Sequence, residues 1–175
     1  MDLHGISAAV LGFVRQNEGW GPLIVFVLAF GESLAFVSLL LPATVILVGV
    51  GALIGESGIA FWPLWLAAAL GAAVGDWLSF WIGYRFKARV MHFWPLSRHP
   101  NLIPRGHIFF ERWGIAGVFI GRFFGPLRAS IPLVAGICDM PRQRFQIANF
   151  ASAFVWAFGI LAPGAFGIDW IRRWA

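Results

Sequence analysis

The sequence predicts an all-α membrane protein: an inverted repeat of two re-entrant helical hairpins, each followed by a transmembrane helix, with an N-terminal amphipathic helix. Composition supports a membrane protein, because 59% of the residues are hydrophobic and the mean hydropathy is +0.78. Apolar length supports it too, since four runs are too long for a soluble core: Trp20 to Ile54, Ile59 to Trp81, Trp113 to Met140 and Phe145 to Ile168. The first and third runs contain charged residues and prolines, which predicts that both are broken into hairpins.

The stretch before the first apolar run is predicted to lie on the membrane surface. Residues Met1 to Gly19 lack a basic start followed by an apolar core and a small-residue cleavage site, so a signal peptide is not expected. Their pattern indicates a short amphipathic helix. No linker divides the rest, and the sequence therefore predicts one membrane domain over residues 1–175, with repeat halves at about 20–84 and 113–168.

The first half is predicted to contain a hairpin broken around Glu32 and Pro42. A turn region rich in glycine follows, and a helix is expected to start near Phe61, where proline stands in the first turn. The glycines of the predicted turn are Gly49, Gly51 and Gly55.

The second half is predicted to break between Arg122 and Pro132. Gly31-Glu32 stands before Pro42 as Gly121-Arg122 stands before Pro132, 90 positions later, which is the basis of the predicted repeat. In a straight helix Arg122 and Arg128 would lie about 9 Å apart along the axis and about 120° apart around it, so two faces would need polar cover. A reversal at Gly125-Pro126 relieves this, because the residue before proline avoids helical angles. The predicted hairpin breaks are Pro42, Gly125, Pro126 and Pro132.

Charge places the connection between the halves in the cytoplasm. Six basic residues and one acid, Glu111, occur from Arg85 to Arg112, and Arg142 and Arg144 follow the second broken segment. Both basic clusters face the cytoplasm if that segment enters and leaves on one side, which favours a re-entrant hairpin. A turn is predicted at Asp139-Met140-Pro141, with a helix from Arg144 onward. Anionic lipid headgroups are a simpler partner for these basic loops than nucleic acid.

Two arginines are the main candidates for substrate contact. Arginine inside a membrane segment costs roughly 2.5–3.5 kcal/mol on insertion scales, so a role other than anchoring is expected for Arg122 and Arg128. The forked donors of guanidinium match phosphate oxygens. This predicts a ligand bearing an anionic phosphate; the alternative is that the arginines only satisfy Glu32, Asp76 or hairpin carbonyls.

Two acids are candidates for proton coupling or charge balance. Glu32 lies inside an apolar run, where a carboxyl group could carry a proton through a transport cycle, or could pair permanently with Arg122 or Arg128 and lock the hairpins. Asp76 could neutralise an arginine, relay protons or lie near the headgroups. Its neighbours Gly71, Ala72, Gly75, Ser79 and Gly83 follow a near-fourfold spacing that indicates close helix packing.

Other chemistry is not expected. His92, His99 and His107 lack the helical spacing and acidic partners of a metal site, and no cofactor motif is present. A phosphatase would need a nucleophile or an acid histidine at the matching membrane position, and none is evident, so an enzyme is disfavoured. The single cysteine, Cys138, excludes an intrachain disulfide.

The motif GRFFGPLRASIPLVAG, from Gly121 to Gly136, resembles the signature of the DedA family, also called SNARE-associated or VTT-domain membrane proteins. The likeness covers roughly Trp20 to Gly167. Further matching residues are Phe145, Asn149 and Trp156, Glu32 with Leu41-Pro42, and Gly75-Asp76 with Gly83.

This resemblance implies two opposed re-entrant hairpins, a multi-pass place in the bacterial inner membrane, and lipid translocation. Bacterial members are associated with recycling undecaprenyl phosphate or moving phospholipids. The family's essential acid falls on Glu32 and its essential arginines on Arg122 and Arg128. Many members have a second acid two residues after the first hairpin's proline, where this chain has Thr44, which puts a two-carboxylate proton scheme in doubt.

Three functions therefore remain open at this point. The leading hypothesis is a transporter or flippase for a phosphate-headed lipid, with protons as a possible coupling partner. The second is a proton-coupled transporter of a small ion or drug. The third is a membrane scaffold that transports nothing and whose buried charges only hold its fold.

Overall fold

The computed structural model describes residues 18–34, 43–57, 60–91, 102–124 and 127–174, and within these ranges the regular structure is entirely helical. A short 3₁₀ turn, Glu18–Trp20, leads into the first helix. The six α-helices are α1 Gly21–Ser33, α2 Ala43–Ser57, α3 Phe61–Met91, α4 Leu102–Gly121, α5 Leu127–Ile137 and α6 Arg142–Trp174. The predicted N-terminal amphipathic helix lies outside the described residues.

The two interrupted runs are divided into separate helices. After α1, Leu34 turns to an extended conformation while its N–H still bonds Gly31 O at 3.3 Å. After α4, a turn closes with the N–H groups of Phe123 and Phe124 bonded to the carbonyls of Ile120 and Gly121. These turns satisfy terminal helix carbonyls that could not face hydrocarbon unpaired.

Of the predicted hairpin breaks, Pro42, Gly125 and Pro126 lie outside the described residues. Pro132 was wrongly predicted as a break, because it is buried inside α5. Since α5 begins only at Leu127, Pro132 stands in its second turn, where its missing N–H removes the bond to the carbonyl of Arg128 without ending the helix.

The glycines Gly49, Gly51 and Gly55 were wrongly predicted as a turn, since all three lie within α2. They have a packing role instead: a Cβ at Gly51 would meet Leu161 O at 2.7 Å, and one at Gly55 would meet Gly164 O at 2.8 Å. Their missing side chains let α2 approach the backbone of α6.

Two predicted helix starts can be compared with the structure, and one of them agrees while the other is two residues late. The helix predicted near Phe61 does begin there, as α3. The last helix begins at Arg142 and not at Arg144, because the turn before it ends at Pro141. Asp139 in that turn has a φ of 57°, the left-handed conformation that Asp tolerates better than most residues.

Helices α3 and α6 have the surface of membrane helices. Among the described residues, the helices long and apolar enough to cross a bilayer are Phe61–Lys87, in α3, and Arg142–Phe166, in α6. Their buried faces are rich in small residues, whereas large apolar side chains point outward, the reverse of a soluble protein. The outward residues include Trp62, Leu66, Trp77, Trp81, Ile147, Val155 and Phe158.

The packing is centred on α3 and α6, which contact each other. Helices α1 and α5 pack mainly on α3, while α2 and α4 pack mainly on α6. The predicted close packing along α3 is confirmed, because a Cβ at Gly71 would lie 2.3 Å from Phe26 O and one at Gly83 would lie 2.2 Å from Leu133 O. Backbone contact on both sides fixes α1 and α5 against α3, and so fixes the charged residues that those helices carry.

Candidate functional site

The four charged candidates occupy the ends of the broken helices and the middle of α3. Glu32 is in the last turn of α1, Arg122 directly follows α4, and Arg128 is in the first turn of α5. Asp76 lies on α3 between them in the core. All four residues are buried, with at most 8% of their surface exposed.

Arg128 pairs with Glu32. Its Nη1 donates to Glu32 Oε1 at 2.8 Å, and its Nη2 donates to Ser33 Oγ at 3.2 Å. Thr44, at the start of α2, donates its hydroxyl to the same Glu32 Oε1. The guanidinium also lies over the Trp156 ring, 4.0 Å from the ring centroid. Helices α1 and α6 thus both contact the guanidinium that α5 carries, and the start of α2 is linked to it through Glu32.

Arg122 pairs with Asp76. Its Nη2 donates both to Asp76 Oδ2 and, at 2.8 Å, to Asn149 Oδ1. Asn149 is fixed from its other side, because its Nδ2 donates to Ala73 O at 2.9 Å and to Gln146 Oε1 at 3.3 Å. Helix α6 thus contributes a neutral acceptor beside the acidic one from α3.

The network is neutral in charge but incompletely hydrogen-bonded. Two guanidinium and two carboxylate groups balance each other. Four buried atoms nevertheless have no hydrogen-bond partner among the described residues: Glu32 Oε2, Asp76 Oδ1, Arg122 Nη1 and Arg128 Nε. Each of these atoms could make a hydrogen bond to a further polar group without first breaking an existing bond.

Helix dipoles do not explain where the charges lie. Glu32 stands at the negative C-terminal end of α1 and Arg128 at the positive N-terminal end of α5, so each charge is unfavourable at its own helix end. The Arg128–Glu32 ion pair compensates for both. An anion at the start of α5 would, in contrast, interact favourably with that helix.

Sequence reasoning identified the four charges but missed their neutral partners. Asn149 and Trp156 were among the further residues that match the family, yet neither was predicted to lie in the site. The signal available was their spacing of seven residues on α6, which places both on one helix face. Thr44 was noted only as the position where many family members have an acid, and Ser33 gave no signal, because a hydroxyl in an apolar run is common.

A polar cleft of about 360 Å³ lies outside this network, beside the turn before α6. It is lined by residues including His107, Glu111, Asp139 and Arg144. Cys138 also borders it, and burial, followed by the charge of Asp139, raises the pKa of this thiol to about 11. In the described part of the chain, no three His, Cys, Asp or Glu residues are grouped to hold a metal ion.

Comparison with known proteins assigns the chain to a family. Residues 41–166 match the VTT domain. The inner membrane protein YabI of Escherichia coli is 38% identical over 160 residues, which cover 91% of this chain and 63% of YabI. A membrane protein of Buchnera aphidicola from Acyrthosiphon pisum, BU139, is 32% identical over 87% of this chain and 59% of its own length.

A more distant relative agrees with these two. The inner membrane protein YqjA of Escherichia coli is 28% identical over 81% of this chain and 64% of its own length. The chain thus spans about three fifths of the length of these relatives. No solved structure matches it. The family match covers most of the chain, and the large apolar side chains of its long helices point outward. The chain therefore belongs to the VTT-domain, or DedA, family of bacterial inner membrane proteins.

Proposed function

We propose that this chain is a transporter or flippase that carries a phosphate-headed lipid, undecaprenyl phosphate or a phospholipid, across the bilayer. In this proposal Arg122 and Arg128 bind the headgroup while the tails stay in the surrounding lipid. The observation that carries it is the pair of buried arginines, each with one N–H donor that has no partner among the described residues. Paired guanidinium forks in a water-poor interior match phosphate oxygens in geometry and in charge.

Helix length supports re-entrant hairpins. Helices α1, α2 and α5 contain 13, 15 and 11 residues. At 1.5 Å per residue they are about 16 to 22 Å long, against a hydrocarbon core of about 30 Å. Each is long enough to reach the middle of the bilayer but too short to cross it alone, so a hairpin that returns to its own side fits these lengths.

The packing pattern supports an inverted repeat. Helix α1 packs on α3 as α4 packs on α6, and α2 packs on α6 as α5 packs on α3. Exchanging α1 with α4, α2 with α5 and α3 with α6 therefore reproduces the same set of helix pairs. Three of the four charges of the site, Glu32, Arg122 and Arg128, lie at the ends of α1, α4 and α5, where the tips of two opposed hairpins would meet near the bilayer midplane.

The ion pairs suggest how headgroup and protons exchange. A phosphate entering a neutral site adds negative charge beside two carboxylates, so it binds more readily if these are protonated. Glu32 Oε2 and Asp76 Oδ1 can accept protons without losing a hydrogen bond, because neither has a partner among the described residues. Protonation would weaken the hold of each carboxylate on its arginine and leave the guanidinium groups to the phosphate.

Purified protein in liposomes tests the proposal. Labelled polyprenyl phosphate or phospholipid is placed in one leaflet, and its appearance in the other is followed for wild type, Arg122→Ala and Arg128→Ala. We expect both variants to lose movement. Arg112→Ala serves as the matched control, because Arg112 is exposed on α4 and outside the network. Undiminished movement in both buried variants, or none by wild type, would contradict the proposal.

A further inference from the structure

Each buried arginine has a neutral partner on α6 in addition to its carboxylate. Arg122 donates to Asn149 at 2.8 Å, and Arg128 lies 4.0 Å from the centroid of the Trp156 ring. Asn149 is 1% exposed and Trp156 5% exposed, so both contacts are shielded from solvent. A cation–π contact gains strength when it is desolvated, and a hydrogen bond to a charged group is stronger than one between neutral groups.

These two residues form one surface of one helix, called here the α6 platform. They are seven residues apart, which on an α-helix is two turns, or about 10 Å along the same face. Ser152 lies between them on that face. Its hydroxyl donates to the backbone carbonyl of Asn149 at 3.1 Å, a bond that involves neither arginine. Asn149 cannot turn away easily, because Ala73 O holds its amide nitrogen.

We infer that Asn149 and Trp156 are positioning residues that hold the two guanidinium groups while their carboxylate partners are exchanged for a lipid phosphate. The inference rests on the proposed function. During exchange, Glu32 and Asp76 must release the arginines, and a guanidinium without partners in the bilayer core is costly. A neutral amide and an aromatic face keep their contacts whatever the protonation state of the acids, and neither competes with an incoming anion.

Neutrality is the property that separates this role from simple ion pairing. Asn149→Asp keeps the shape of the side chain but gives Arg122 a second carboxylate, the third of the site. It should bind the guanidinium more tightly and compete with phosphate, so half-saturation requires more lipid. Asn149→Leu removes the acceptor without adding charge. At Trp156, the series Trp, Tyr, Phe and Leu weakens the π face stepwise at a single position.

The test measures the initial rate of lipid movement in liposomes against the mole fraction of polyprenyl phosphate, at several pH values. We expect Trp156→Leu and Asn149→Asp to raise the half-saturating lipid fraction by about tenfold to thirtyfold, the size of one such contact. Trp156→Tyr and Trp156→Phe should lie between wild type and Leu. Asn149→Asp should also move the pH profile, because it adds an acid to the site, whereas a merely structural role would leave the profile unchanged.

Matched controls come from the same helix. Ser152→Ala removes a buried hydroxyl of the platform face that does not contact either arginine, and Phe158→Leu shortens an exposed aromatic side chain on α6. Both should behave as wild type. Thermal unfolding of every variant shows whether it is folded, and if Trp156→Leu is not, the Tyr and Phe variants decide.

The outcomes separate the two proposals. If Arg122→Ala and Arg128→Ala still move lipid, the proposed function fails. If those variants lose movement while folded Asn149 and Trp156 variants keep both the wild-type half-saturation and the wild-type pH profile, the α6 platform is overturned and the lipid function stands. A rate that falls in Ser152→Ala as much as in Trp156→Phe would also overturn it, since the effect would then reflect packing of α6 alone.

Discussion

Asp76→Asn gives the sharpest test of the buried network. Asp76 accepts from Arg122 Nη2, and the two side chains are 4% and 3% exposed. The substitution keeps the size of the side chain but removes its charge. Arg122 then has only neutral amide acceptors as partners among the described residues, one at position 76 and one from Asn149, and a buried positive charge is left uncompensated.

The expected loss of stability is large. Removing one member of a buried ion pair costs about 3–5 kcal/mol. For a chain of this size each kcal/mol shifts the melting temperature by about 2–4 °C, so Asp76→Asn should lower it by about 6–20 °C. An alkyl phosphate can replace the missing carboxylate, because it supplies both the charge and the acceptor oxygens. It should therefore raise the melting temperature of Asp76→Asn more than that of wild type.

The assay is thermal unfolding of purified protein in detergent, with and without a short-chain alkyl phosphate. Asp139→Asn is the matched control, since it breaks the Lys87–Asp139 ion pair, whose side chains are 40% and 53% exposed. An exposed pair contributes about 0–1 kcal/mol. A shift for Asp76→Asn no larger than that of Asp139→Asn would refute the reasoning about burial, and an equal response of Asp76→Asn and wild type to alkyl phosphate would refute the exchange.

A double variant separates stability from transport. Replacing both members of a buried pair by neutral groups of similar volume is often nearly neutral in stability. Asp76→Asn with Arg122→Gln should therefore recover most of the lost melting temperature. Under the proposed function it should still move no lipid, because the headgroup contact is gone. If the buried charges served only to hold the fold, recovered stability would instead restore the movement of lipid.

Three further predictions follow from single contacts. Gly83→Ala should destabilise by about 1–3 kcal/mol through backbone overlap, whereas Gly159→Ala, with nothing within 4 Å, should stabilise by a few tenths to about 1 kcal/mol; chemical denaturation in mixed micelles measures both. Maleimide labelling of Cys138 should be slow at neutral pH and rise as pH approaches its pKa of about 11, and fast labelling of folded protein at pH 7 would count against it. Thr44→Asp should set a second acid against Glu32, so that the two share a proton and the pH profile of transport changes, whereas Thr44→Ser keeps the hydroxyl donor to Glu32 and should leave the profile unchanged.

The sequence was sufficient for features that depend on local chemistry. A charge and an interior proline in one apolar run together disfavour a plain membrane helix, so the division of the first and third runs could be predicted. Neither feature alone ends a helix, since Asp76 lies within α3 and Pro132 within α5. The start of α3 at Phe61 followed from proline in its first turn. Which acid meets which arginine could not be predicted, because Glu32 and Arg128 are 96 residues apart and Asp76 and Arg122 are 46 apart.

The glycines of α2 carried a signal for helix packing that the predicted turn did not use. The spacing of Gly71, Gly75 and Gly83 was correctly assigned to close helix packing, whereas Gly51 and Gly55 were assigned to a turn. The two groups have the same four-residue interval and lie in similar apolar surroundings. In a membrane, where apolar side chains gain little by leaving lipid for protein, small residues indicate helix contact more strongly than they indicate a turn.

The distribution of charge between the halves explains why the site lies where it does. Among the residues whose burial the structure describes, the buried acids Glu32 and Asp76 come from the first half, and the buried bases Arg122 and Arg128 come from the second. Either half alone would hold two like charges among apolar helices, which no internal pairing could offset. The charges are balanced only when the halves meet, and both ion pairs therefore cross the boundary between them. Any motion of one half against the other must strain or exchange these pairs, so protons and anions that alter the pairs would also alter that motion.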